Sequence, residues 1–329
     1  MKNRFLSALV FSLVCFQAFA QSTNPDRYLQ MAYPNELERC IYSIASDYSG
    51  GRESGTKGAQ LTERYISGTF KTLGLKPFES MNYTQSFPHY RYTRDKWDMV
   101  NCDTITVRNV VALLPATFYS EKYIVVCANY DHLGTIRNVI YNGADDNASG
   151  VAAMLALAKM MSAFAKQEQD LYTNILFIAF DGRHLDQAGS KYFVKDMGVD
   201  PRDIKCVMEL DEIGTSLQPP TDNPNYIISL CNPAVPSTYK TMLRRINVKL
   251  DMNYCIDYTY YGSERFTKFF YETADHIQFA KKGIPAMMFT SGINRYTMKP
   301  TDDPVVIDYT ALSNRIRLIF NFMLWMQQD

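Results

Sequence analysis

The chain has 329 residues, with 34 basic side chains balanced by 34 acidic ones. That balance leaves no single-sign field to gather nucleic acid or anionic lipid, so partners chosen by bulk charge are excluded. The length is sufficient to bury a full core without disulfide staples.

In chain order, the first feature is MKNRFLSALVFSLVCFQAFAQ, where Lys2 and Arg4 precede an apolar run ending in Ala18-Phe19-Ala20. This is the layout of a signal peptide over residues 1–20, cleaved before Gln21, and it predicts export to the periplasm or beyond. The apolar run is too short to cross a bilayer. No later segment reads as long and apolar enough to do so, and no membrane span is expected. Cys15 follows Val14 rather than a small residue and is not read as a lipid-attachment site. The remainder, 21–329, reads as a single domain without repeats or linkers.

GAQLTERYISGTFKTLGL carries Leu61, Tyr65, Ile66, Phe70 and Leu73 at helical spacing, with Gly74 placed to end the helix. Continuous apolar runs follow at 105–114, 123–128, 175–180, 205–210 and 284–289, separated by helical patterns such as 151–161 and closed by one at 312–326. Such runs are the mark of strands covered on both faces. The fold class is therefore α/β, a mostly parallel central sheet flanked by helices on both faces. SLQPPTDNPN, after Thr215, reads as a surface loop, and the Tyr-rich segment 251–272 reads as an edge cover or a cleft lining. Outside the leader the cysteines are Cys40, Cys102, Cys127, Cys206, Cys231 and Cys255, without a paired C-x-x-C spacing for zinc. Cys127 and Cys206 lie inside strand-like runs and read as small buried hydrophobes.

Open α/β sheets form their sites where strands end. Polar residues gather at these ends: CANYDHLG, NGADDNASG, DGRH and ELDEIG. These segments, in this order, resemble the bacterial two-zinc aminopeptidases, the exopeptidase group that also includes glutaminyl cyclases and glutamate carboxypeptidase. The resemblance extends from SGGRESGTKGAQLTERYI and RNVVALLP to TADHIQFAKKGIPAMMFTSG and KPTDDP, nearly the whole chain after the leader. It implies a three-layer fold, two zinc ions sharing a carboxylate, and a glutamate acting as general base on metal-bound water.

Position by position, the resemblance implies a damaged site. Asp146 stands at the bridging position and Asp211 at a second retained ligand position. Asn129 replaces a histidine ligand. Arg183 and His184 replace two consecutive glutamates, the general base and a ligand. Met298 stands where a last histidine ligand is expected, and 293–303 contains no histidine. Asn129, Asp146 and Asp211 would suit zinc poorly, and so would Asp146, His184 and Met298. His132 and His276 match histidines that lie beside the metal ligands, and together with Asp131, Asp145 and Arg183 they are expected to line the pocket. A site rebuilt from His184, Asp186 and Asp146 is conceivable but lacks a base.

A cluster of carboxylates without its cations is costly. Arg183 is therefore expected to neutralise Asp146, Asp145 or Asp211 through charge-assisted hydrogen bonds. The expectation is an exported, non-catalytic family member binding a peptide or other ligand, with no cofactor. The alternatives are an active aminopeptidase with an atypical metal set, or a glutaminyl-cyclase-like transferase, and both imply zinc.

Overall fold

The computed structural model describes residues 25–79, 82–94, 100–217 and 223–328. The expected leader, 1–20, and part of the Pro-rich loop lie outside these residues. The strands are β1 (Lys76–Pro77), β2 (Thr84–Arg94), β3 (Val100–Leu114), β4 (Tyr123–Asn129), β5 (Gly134–Ile136), β6 (Val139–Tyr141), β7 (Asn174–Phe180), β8 (Ile204–Leu210), β9 (Tyr226–Cys231), β10 (Cys255–Asp257) and β11 (Ala286–Thr290). The helices are α1 (Pro34–Ile44), α2 (Lys57–Leu73), α3 (Gly150–Glu168), α4 (Ala188–Lys195), α5 (Ser237–Lys249), α6 (Glu264–Thr273), α7 (Ile277–Ala280) and α8 (Tyr309–Met326).

Among the described residues, nine strands form one sheet in the order β1-β3-β7-β4-β8-β11-β9-β10, with β2 also paired to β3. At its centre β7, β4, β8 and β11 run parallel, while β1, β2 and β3 on one wing and the β11–β9 pair on the other are antiparallel. The parallel centre coincides with the apolar runs, because a strand covered on both faces has no polar face to show. Alternation is visible within each run: Ile124, Val126 and Ala128 enter the core under α1, α2, α3 and α8, while Val125 and Cys127 pack with Phe193 and Val194 on the other face. The outer half of β3 and all of β2 lack such a run and escape the sequence pattern. β11 starts one residue after Pro285, which has no N–H to give a ladder.

Helix α2 ends as its sequence predicts, with Gly74 at φ 78° and its N–H bonded back to Phe70 and Lys71. Helix α3 corrects an expectation: the segment Ala144–Glu168 is long and apolar enough to cross a membrane by composition. It is a core helix, since 83% of its most apolar stretch is buried within the protein. The six cysteines Cys40, Cys102, Cys127, Cys206, Cys231 and Cys255 are all free, Cys127 and Cys206 being buried.

Two contacts fix the loop after β7. Asn109 of β3 accepts the Asp181 N–H and donates to the Gly189 carbonyl at the start of α4. Gly189 itself must lack a side chain, because a Cβ there would meet the Asp181 carbonyl and the Asn109 amide well inside contact distance. The short segment between them, holding Arg183 and His184, is thereby clamped at both ends.

Candidate functional site

The polar segments converge at the C-terminal ends of β4, β7 and β8, with an irregular turn, 144–149, leading into α3. Asp146 (φ −106°, ψ 84°) and Asn147 (φ −136°, ψ 41°) break the helical path in that turn, and the peptide between them is cis. Asp302 holds the turn in place by accepting the backbone N–H groups of Asp145 and Asp146 at 2.9 and 3.0 Å. Burial, then the charge of Asp145, pushes the Asp302 carboxyl up to about 8.

Asn129 closes β4 and is fully buried. Its amide is used at both ends, donating to the Asp131 carbonyl and accepting from Asn147, each at 3.1 Å. Asp131 is equally committed: it accepts the N–H groups of Arg183 at 3.0 Å and His184 at 3.2 Å, and so shapes the loop after β7. Ser54 donates to Asp181 at 2.6 Å and approaches Asp131 at 3.4 Å. Burial raises both carboxyls to about 7.

Arg183 reaches over the strand ends and donates to Asp211 at 3.2 Å. Only 16% of the Arg183 side chain and 5% of the Asp211 side chain are exposed. Burial works against this guanidinium, but Asp211, Asp275, Glu209 and Asp146 together hold its proton more firmly than usual. In turn, burial pushes Asp211 up and Arg183 pulls it back. Asp145 is not the partner of Arg183. It accepts from the Gly214 N–H, the Thr215 hydroxyl and the Asn294 amide at 2.7, 3.1 and 2.9 Å, tying the turn before α3 to the loops after β8 and β11.

The buried carboxyls Glu209, Glu212 and Asp275 extend the cluster beyond the residues picked out in sequence. Glu209 accepts from the Cys127 thiol at 3.0 Å, and burial followed by the Asp275 charge raises it well above the ordinary carboxylate range. Asp275 accepts a hydrogen bond from Ser190 and is also raised by burial. Glu212 is raised well above its ordinary value by burial and then by Asp146 and Asp211. A glutamate near the end of the strand IKCVMEL, where only Lys205 at the other end is also charged, is the sequence signal that Glu209 offered.

A second group forms beside the Arg183–Asp211 pair. One donor atom each from His132, Asp146 and His184 lie within 4.8 Å of one another. His132 Nδ1 is 3.9 Å from Asp146 Oδ2, and the His132 and His184 rings meet edge-on with centroids 5.3 Å apart. His132 is 1% exposed, and among the described residues neither of its nitrogens has a hydrogen-bond partner. Burial, and then the charges of Arg52 and His184, lowers the His132 imidazole well below its ordinary range. The rebuilt set anticipated with Asp186 does not form: Asp186 is 88% exposed at its side chain and pairs with Lys191 at 2.5 Å. His132 stands in its place. Met298 is 53% exposed at φ 57°, in the loop after β11. His276 is fully buried against Tyr271, with burial and then Arg183 lowering it to about 3.

The residues do not fit the two-zinc centre that the family implies. Asn129 has spent its amide within the protein, and the guanidinium already occupies Asp211. The His132, Asp146 and His184 donors do suit one cation, as two imidazoles and a carboxylate.

An α/β sheet with acids and imidazoles at the ends of its parallel strands is the architecture of zinc exopeptidases. The profile of Peptidase family M28 matches residues 109–323, and the chain belongs to that family. An aminopeptidase from Aneurinibacillus sp. strain AM-1 superposes with a TM-score of 0.71 at 14% identity, covering 91% of this chain and 95% of its own. A zinc aminopeptidase from Bacillus subtilis gives 0.69 at 13% identity, covering 89% and 95%. A glutaminyl cyclase from Porphyromonas gingivalis gives 0.62 at 16% identity, covering 90% and 99%. At these identities the likeness is one of fold. No curated protein sequence matches the chain.

Two predictions follow from the charge pattern. Removing one partner of a buried ion pair costs about 3–5 kcal/mol, against about 0–1 kcal/mol for an exposed one. Arg183→Ala should therefore fall in the larger range, and adding Asp211→Asn should recover part of the loss, because the stranded charge leaves with its partner. Denaturant unfolding of both single variants and the double variant measures this, and strict additivity would contradict it.

The second concerns pH. An aspartate raised on folding keeps its proton in the native state and releases it on unfolding above about pH 4, its ordinary value. Its contribution is full below that pH and is lost as pH climbs to about 7. The unfolding midpoint should fall between about pH 5 and pH 8, and Asp181→Asn should flatten that slope. An unchanged slope in the variant would show that Asp181 titrates elsewhere.

Proposed function

We propose that this chain is an exported, non-catalytic member of peptidase family M28 that retains the substrate cleft as a binding site for a peptide ligand. The observation that supports this reading is the Arg183–Asp211 contact at 3.2 Å, taken with the sequence resemblance that matches Arg183 to the family's general base and Asp211 to one of its ligand carboxylates. A guanidinium keeps its proton at any physiological pH and cannot accept one from water. Asn129, bonded at both amide ends, supports the same reading. Positioned general bases contribute roughly a hundredfold to ten-thousandfold, so loss of the base and of one metal position together should remove peptidase turnover.

Purified protein supplied with excess zinc or cobalt should not hydrolyse aminoacyl-anilides, nor cyclise peptides with N-terminal glutamine, above the rate of the Asp146→Ala variant. Chelator-sensitive turnover would replace this reading with that of an atypical aminopeptidase, and pyroglutamate formation with that of a cyclase. The grouping of His132, Asp146 and His184 is the observation that favours either alternative.

Export rests on the Lys2 and Arg4 leader and the Ala18-Phe19-Ala20 boundary. The N-terminus of the protein recovered from the cell envelope or the medium should be Gln21. Recovery of the uncleaved chain in the cytoplasm would refute export.

A further inference from the structure

The His132, Asp146 and His184 group raises its own question, because a buried imidazole with both nitrogens unbonded is expensive. An unpaired buried polar atom costs about 1–3 kcal/mol, and native proteins keep few of them without an unseen partner such as water or an ion. His132 carries two such atoms at 1% exposure. Its Nδ1 lies 3.9 Å from Asp146 Oδ2, and the His184 ring stands edge-on to it at 79°.

We propose that His132, Asp146 and His184 form a one-metal site for a borderline divalent cation of the zinc type, with His132 recruited as a ligand in place of those the family has lost here. This rests on the reading that the two-zinc centre is gone.

The donor chemistry selects the ion. Two imidazoles and one carboxylate suit zinc, cobalt or nickel, whereas magnesium and calcium ask for oxygen alone. Ligands at about 2.0–2.1 Å around a tetrahedral ion stand roughly 3.4 Å apart. The present donors lie within 4.8 Å of each other, with His132 buried and His184 exposed on its loop, so the ion would require the His184 side chain to rotate towards His132. The same geometry restricts the count to one. Asp211, the acid that a second ion would need, is held by Arg183 at 3.2 Å, and the guanidinium's charge repels a further cation beside it. A ligand's amine, carboxylate or carbonyl oxygen would complete the coordination at the fourth position.

The test is metal binding by the full chain, stripped with chelator and titrated with zinc chloride by calorimetry, with cobalt chloride read by its visible absorption. One equivalent should bind, with a tetrahedral cobalt spectrum and a raised thermal midpoint. His184→Ala should weaken binding at least tenfold, and its exposed position spares the fold. His132→Gln should do the same while circular dichroism reports an intact protein, and Met298→Ala should bind as the parent does. Absence of binding, or one ion held equally well by His184→Ala, would overturn the one-metal site and leave the non-catalytic reading standing. Two tightly bound ions would overturn both.

Discussion

The cost of burying acids at one edge of the sheet governs the rest of this structure. Asp131, Asp145, Asp181, Glu209, Asp211, Glu212, Asp275 and Asp302 are all less than a tenth exposed and gather around the ends of the parallel strands. Ionised together in a dry interior they would repel one another beyond what the fold could bear. They are accommodated in three ways. Some hold a proton to higher pH than a carboxyl ordinarily does, as burial dictates for Glu209 and Asp302. Others accept backbone N–H groups, as Asp131 and Asp145 do. Asp211 receives a guanidinium.

The second of these solutions builds the site. Each carboxylate that accepts N–H groups from a distant segment fixes one loop against another. Asp131 orders the loop after β7, Asp302 the turn before α3, and Asp145 the loops after β8 and β11. Two buried arginines support these loops from behind. Arg52 donates to the carbonyls of Tyr130, Asn142 and Gly143, and Arg315 to those of Tyr226 and Ile213. The loops therefore hold their places through their own hydrogen bonds.

How much of this was legible in sequence follows from where each signal resides. Strands β4, β7, β8 and β11 showed themselves because burial on both faces writes a largely apolar run. Strands β2 and β9 left no such reading, β2 because it borders solvent and alternates with polar residues. The matching segments placed Asn129, Asp146, Arg183, His184 and Asp211 at strand ends by their order along the chain. Partner choice was another matter. Arg183 and Asp211 are separated by 28 residues and Asp145 and Asn294 by 149, and nothing in the local pattern says which acid meets which donor. His132 shows the same limit: in sequence it stands beside the family's ligands, and only the fold reveals that both its nitrogens are buried without partners while Asp186, the nearer choice by spacing, points into solvent.

The identity of Arg183 and Asn129 can be argued from strand spacing. Arg183 follows β7 and Asp211 follows β8, and β4 lies between them. Two strand widths amount to roughly 9–10 Å, a span that a long side chain can bridge and a glutamate cannot. The residue beneath that bridge is Asn129, at the end of β4. An imidazole there would bring a lone pair seeking a cation and, if protonated, a second positive charge beside the guanidinium. The neutral amide brings neither and bonds to Asn147 and to the Asp131 carbonyl. Exchanging the glutamate alone for arginine would leave a metal-binding imidazole under a fixed positive charge, and exchanging the histidine alone would leave Asp211 buried without a counter-charge. Under the proposed reading the long guanidinium and the neutral amide therefore suit one another, the first giving Asp211 its counter-charge and the second adding no positive charge beside it.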